Sequence, residues 1–197
     1  MVVTRLDNMN VFKIINSVYK SNTLVLTSQG CNYCWIVDVG DVESIISSIQ
    51  GKSIRGVFIT HTHYDHIYGL PELLERFPNC LVFTSVGGKE GLISDKYNLS
   101  RYHGNSIIYD GPNIRVLADG DVVEIFSGVA LHVMLTPGHD KSCVTYFTDD
   151  SVFTGDSYIP GYDVVTSFPL SNKEDSKISL EKIYKLIKTR TIYPGHQ

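Results

Sequence analysis

The chain has 197 residues, 43% hydrophobic and 19% charged, the balance of one globular domain spanning residues 1–197 with a sizeable core. Its formal net charge is -4 and its 17 lysines and arginines form no run, so it lacks the basic face that a nucleic-acid partner requires. No apolar stretch approaches the ~18 residues of a membrane-spanning helix. The opening MVVTRLDNMNVFKIINSV has no apolar h-region, so a cytoplasmic location and reduced cysteines are expected.

The first 40 residues read as three strands, 11–19, 22–28 and 34–40, rich in β-branched and aromatic residues and separated by turn signals. Cys31 and Cys34 form a single CxxC. It enters a strand rather than opening a helix, and no second pair exists to complete a zinc ribbon, so two thiols in a hairpin is the reading adopted. Residues 41–50 have apolar residues at helical spacing behind Asp41, a candidate N-cap. A buried strand at 54–60 leads into a helix at 68–77, whose first turn tolerates Pro71. A strand at 80–85 and a short helix from 87 follow.

The second half repeats the rhythm. Strands are expected over 113–121, 121–126 and 129–140, then a hairpin over 142–156 that turns at Asp149-Asp150. The clearest helix covers 173–189, with Ile178, Leu180, Ile183, Leu186 and Ile187 placed on one face. A last strand covers 190–197. Strands with interspersed helices, in two halves of like order, predict two sheets packed together with helices outside.

Chemistry concentrates in FITHTHYDHIYGL, residues 58–70. Residues two apart on an extended chain point the same way, so His61 and His63 project together beyond the strand. Asp65 and His66 follow at the entry to the helix. Two imidazoles can grip one metal ion, and an imidazole with a carboxylate can begin a second site. Three other apolar strands stop at a glycine followed by a potential ligand: His139 in MLTPGHD, Asp156 in VFTGDS and His196 in IYPGHQ. Each glycine is expected to supply an unusual backbone angle. His196 is expected to depend for its position on the strand before it, on Pro194 and on the metal. His103 and His132 lack this context.

This ordered set resembles the metallo-β-lactamase superfamily, and within it the glyoxalase II-like hydrolases, over nearly the whole chain. The resemblance implies an α+β fold, an αββα sandwich of two mixed β-sheets packed face to face. It implies two divalent ions, Zn2+ first and Fe or Mn as alternatives. One would be held by His61, His63 and His139, the other by Asp65, His66 and His196, with Asp156 bridging. The implied activity is hydrolysis of a small ester, thioester or lactone by a hydroxide held between the ions. Asp65 would also orient that hydroxide, which makes it the catalytic candidate. Asp38 matches a position near the site where a hydrogen bond to a ligand histidine is expected. The partner implied is a small molecule; the oligomeric state is left open.

Glyoxalase II proteins carry a basic, aromatic glutathione-binding stretch after the bridging aspartate, whereas residues 155–170 here hold no lysine or arginine. Homoserine-lactone hydrolases, one alternative, place a tyrosine three residues after that aspartate; Tyr158 stands two after Asp156. A second alternative is a mono-iron persulfide dioxygenase, which would use His61, His139 and Asp156.

Overall fold

The computed structural model describes residues 9–197. Six strands form the first sheet in chain order: β1 (Met9–Ile15), β2 (Asn22–Ser28), β3 (Tyr33–Val37), β4 (Ser53–Phe58), β5 (Leu81–Ser85) and β6 (Ile114–Leu117). The strands β1 to β3 pair antiparallel, and β3 to β6 pair parallel. The parallel strands need crossovers, supplied in part by the helices α1 (Val42–Ser48), α2 (Tyr64–Ile67), α3 (Leu70–Arg76) and α4 (Val86–Leu92). The second sheet has the order β11-β10-β9-β8-β7, from β7 (Val122–Phe126), β8 (Val129–Leu135), β9 (Val144–Phe147), β10 (Ser151–Gly155) and β11 (Thr191–Pro194). Helix α5 (Lys173–Leu186) connects β10 to β11, which pair parallel. Two mixed sheets with helices outside make the expected α+β sandwich. Among the described residues, no helix is long and apolar enough to cross a membrane.

Side chains of the first sheet alternate between two cores, as a period of two requires. Leu24, Leu26, Trp35, Val37 and Phe58 enter the space between the sheets. Val25, Ile36 and Val57, interleaved with them, pack with Ile45, Leu70 and Leu73 of the helices. Both faces of these strands are covered, which explains their near-continuous apolar runs. Polar bonds also tie the sheets together. Trp35 Nε1 donates to the Ile125 carbonyl at 2.7 Å, and the fully buried Tyr146 Oη donates to the Ile59 carbonyl at 2.9 Å. Tyr146→Phe is expected to destabilise the protein by about 1–3 kcal/mol, because it strands a buried carbonyl just before the histidine turn. A shift of the urea midpoint checks this; an unchanged midpoint would mean that the carbonyl finds another donor.

Helix α5 departs from its expected face. Ser176, Ser179 and Ile183 are its buried residues, while Ile178 is 56% exposed. The reason lies in the loop between β8 and β9. Ser179 Oγ donates to the Pro137 carbonyl at 2.7 Å, and a Cβ on Gly138 would lie 2.4 Å from Ser176 Cα. The helix packs its small residues so closely on this loop that the apolar stripe turns partly to solvent. Gly138 also holds φ +146°, so its place needs glycine on both counts. Cys31 lies in the β2–β3 connection and Cys34 inside β3, both as free thiols. His132 lies on β8, stacked on Phe147.

Candidate metal centre

Five strand ends meet at one edge of the sandwich. After β4 the chain runs on to His61 and His63, whose rings lie 4.7 Å apart, and His63 caps α2 in an extended conformation. The single turn of α2 then carries Asp65 and His66. His139 comes from the loop between β8 and β9, Asp156 directly follows β10, and His196 comes two residues after β11. Asp38 directly follows β3. All are buried or nearly so; His61 and His66 are fully inaccessible.

The structure brings all seven candidate ligands together. His61, His63 and His139 form one group whose ligand atoms lie within 4.8 Å of one another, and Asp65, His66 and His196 form another. A third group, His61, His66 and Asp156, joins them. Asp156 Oδ2 is 3.6 Å from His139 Nε2 and 3.4 Å from His196 Nε2, while its Oδ1 is 3.6 Å from His66 Nε2. Asp65 Oδ2 approaches His196 Nε2 to 3.1 Å and His66 Nε2 to 3.4 Å.

Hydrogen bonds on the outer side of the rings decide what the inner side offers. His139 Nδ1 donates to the Val165 carbonyl at 2.8 Å and His196 Nδ1 to the Tyr19 carbonyl at 3.2 Å. His66 Nδ1 donates to the Asp38 carboxylate at 2.9 Å. In the neutral imidazoles this leaves each Nε2 a bare lone pair aimed inward. His139 Nε2 stands 3.0 Å from His63 Nδ1, and His66 Nε2 stands 3.3 Å from His196 Nε2. Buried His61 Nε2 and Asp156 Oδ1 have no hydrogen-bond partner among the described residues. Converging lone pairs, two carboxylates and orphaned buried acceptors could hold cations, and N and O donors of this kind suit divalent ions.

Asp38 holds the turn from behind. It sits at φ 58° and is 2% exposed. Its carboxylate accepts from Thr60 N and Thr60 Oγ1, both at 2.7 Å, as well as from His66. Asp38→Asn is expected to cost 10–100-fold in metal affinity, the usual range for a carboxylate behind a ligand histidine. Competition with a chelator of known affinity measures it; an unchanged affinity would make Asp38 a turn residue only.

Two residues escaped the sequence reading. Asp140 is buried, with Oδ1 accepting from Ser142 N and Oγ and with Oδ2 3.5 Å from His63 Nε2. Its only signal was its place directly after His139. Phe168 packs its ring edge-on against His63 and His139, and no local pattern marks it. Tyr158 does not line the cavity over the centre; its ring meets Tyr184 of α5, and Ile159 lines the cavity in its place.

Without a cation, protons supply part of the missing charge. Burial alone would lower the pKa of His66, but the charges of Asp65 and Asp156 and the bond to Asp38 outweigh it and raise it to about 9. Burial likewise opposes protonation of His196, yet its bonds to Asp156 and Asp65 raise it to about 10. Desolvation and the neighbouring histidines push His61 far below the usual range. Burial tends to raise Asp65 and Asp156, but the facing histidines hold both carboxyls below it.

Residues 17–196 match the family model described as the Metallo-beta-lactamase superfamily. The chain belongs to this superfamily. A metallo-β-lactamase relative, the hydroxyacylglutathione hydrolase of Buchnera aphidicola subsp. Schizaphis graminum (strain Sg), is 31% identical over 148 residues. Those cover 74% of this chain and 50% of the relative, so the chain spans about half the length of the curated relatives it matches. The crystal structure of BLEG-1 B3 metallo-beta-lactamase superposes with a TM-score of 0.86 at 22% identity, over 95% of this chain and 92% of that one. That of TTHA1623 in a di-iron-bound form gives 0.79 at 22%, over the same shares. At such identities the likeness speaks to the fold. Proteins of the metallo-β-lactamase superfamily bind divalent metals.

A cation entering this metallo-β-lactamase centre must displace the protons on His66 and His196. Apparent metal affinity is therefore expected to rise as pH increases from about 6 to about 9. The sign for the metal-free protein is opposite. Stability from these raised pKa values is full below ~6.5 and is lost as pH rises through 9 to 10. Metal titrations at several pH values check the first statement; a flat profile would mean that the nitrogens carry no protons.

Proposed function

We propose that this chain is a binuclear metal-dependent hydrolase acting on the carbonyl of a small ester, thioester or lactone. The observation that carries the reading is the inward convergence of imidazole lone pairs and two carboxylates, with the outer ring nitrogens of His66, His139 and His196 already committed to acceptors. His61, His63 and His139 would hold one divalent ion and Asp65, His66 and His196 the other. Asp156, within reach of both groups, would serve each. Bound there, the ions supply Lewis-acid polarisation of a carbonyl and a nucleophile at neutral pH.

The residues of the chain do the rest. Asp65 has a lowered pKa, so it stays ionised and accepts hydrogen bonds, which suits it to orient a water rather than to donate a proton. Asp38 and Thr60 keep the histidine turn rigid, which holds the reacting groups in one geometry. Phe168 keeps bulk water from the outer faces of His63 and His139. The four cysteines are free thiols, which supports a reducing, cytoplasmic setting.

The test is metal analysis followed by a panel of esters, thioesters and lactones on the zinc-loaded protein. Two equivalents of metal and hydrolysis of at least one class are expected, and Asp65→Ala should abolish turnover. One iron per chain, with oxygen uptake on a persulfide and no hydrolysis across the panel, would replace this reading with the dioxygenase one.

A further inference from the structure

The centre opens into a cavity of about 440 Å³, within the size range of small-molecule sites. Beyond the candidate ligands its wall is apolar and aromatic. Phe168 abuts the ligand rings His63 and His139, at centroid distances of 4.7 and 5.4 Å, so the apolar surface begins at the reacting centre. Tyr64, the residue after His63, lies flat against His103, with ring centroids 4.2 Å apart and planes 7° from parallel. Ile159, Val165, Leu99 and Tyr19 complete the wall, Tyr19 with its ring edge-on to His103 at 5.7 Å.

Leu99 is the informative member. It holds φ 66°, a left-handed conformation that glycine or asparagine adopts with less strain. Buried Asn98 fixes this turn, its side-chain amide donating to the carbonyls of Gly91 and Ile107. A branched apolar side chain is thus kept at a strained position where it faces the cavity, a pattern common where a wall contacts a ligand.

Charge completes the argument. Among the described residues, no lysine or arginine lines this cavity or the adjoining one, which shares His139, Asp156 and His196. Of the cations near the lining in sequence, Arg101 pairs with Asp95 at 2.6 Å and Lys141 with Glu90 at 2.5 Å, whereas Lys20, beside Tyr19, is exposed. Asp163 lines the adjoining cavity and adds negative charge. A carboxylate on the distal part of a substrate would meet no cationic side chain in that lining and would lose part of its hydration.

We infer that the substrate is uncharged away from its reacting carbonyl and carries an aromatic or branched apolar group, which lies on Phe168, Leu99 and the Tyr64–His103 pair. This deepens the hydrolase reading and rests on it. It also separates this chain from the anionic glutathione conjugates that the names of its relatives indicate.

Two non-hydrolysable thioethers form a matched pair: neutral N-acetyl-S-benzylcysteamine and anionic S-benzylglutathione. They share the sulfur and the ring, so any common affinity for metal cancels. Calorimetric titration of the zinc-loaded protein is expected to show the neutral probe binding at least about tenfold more tightly. Phe168→Ala and Leu99→Gly should each weaken it by about tenfold. Leu99→Gly suits the left-handed backbone there, and an unchanged thermal midpoint separates a loss of binding from misfolding. Equal or tighter binding of S-benzylglutathione, or a neutral-probe Kd unmoved by both variants, would overturn the inference. The hydrolase reading fails separately. Tight neutral-probe binding without turnover of any ester, thioester or lactone leaves the apolar cleft in place and removes the reaction, whereas faster turnover of glutathione thioesters keeps the reaction and removes the neutral-substrate inference.

Discussion

Asp156→Ala is expected to lower bound metal from two equivalents to about one and kcat/KM by about 10³-fold. The carboxylate is the one anion that approaches histidines of both groups, with contacts of 3.4–3.6 Å to His139, His196 and His66. Removing it leaves opposed lone pairs with one carboxylate, Asp65, to offset the charge of two cations. Several kcal/mol of charge stabilisation at the reacting carbonyl go with the lost ion, and each 1.36 kcal/mol is a factor of ten. Metal content by elemental analysis and steady-state kinetics read the two effects. Asp156→Asn keeps the shape and loses the charge, so it should fold normally and still fail. A variant that retains two equivalents with near-normal kcat/KM would remove Asp156 from the centre.

Gly195→Ala should be almost as damaging although glycine 195 bears no functional group. A Cβ there would lie 2.1 Å from Asp156 Oδ1 and 2.9 Å from His66 Cε1. The backbone has no room to retreat. Gly195 N donates to the Gly155 carbonyl at 2.9 Å, and its own carbonyl accepts from Asn22 N at 2.7 Å. The added methyl must therefore displace Asp156 or His66, and a misplacement of ~1 Å at a reacting centre costs about 10²-fold. Gly195 is absent from the positive-φ residues, so alanine suits its backbone and the loss is steric. Activity and metal affinity are the measurements. Wild-type values for both would show that the Asp156 side chain has freedom the packing denies it.

That glycine shows where local reading stopped. The glycines at 138, 155 and 195 look alike in the sequence, each closing a strand before a ligand. Gly138 and Gly155 have positive φ, as expected, whereas Gly195 serves a close approach between residues 39 and more positions apart. His196 likewise looked dependent on its strand and its metal. Asn22 adds a tie from a distant strand, through its N–H to Gly195 and its side chain to Pro194. The expected α5 face holds only in part, Ile183 buried and Ile178 exposed, for a related reason: periodicity locates apolar residues, but close packing of Ser176 and Ser179 on the 137–138 loop sets the helix rotation.

What the sequence determined by itself was the set of strands and the seven candidate ligands at strand ends. These follow from periods of two and 3.6 and from residue chemistry, all of which are local along the chain. Tertiary structure alone decided that the ligands converge and which ring nitrogens face inward, since Val165, Tyr19 and Asp38 hold the outer ones from distant elements. It also brought Asp140 beside His63 and turned Phe168 and Leu99 toward the cavity. Neighbours in space that are far apart along the chain leave no periodic trace, because only the packing of the two sheets places them together.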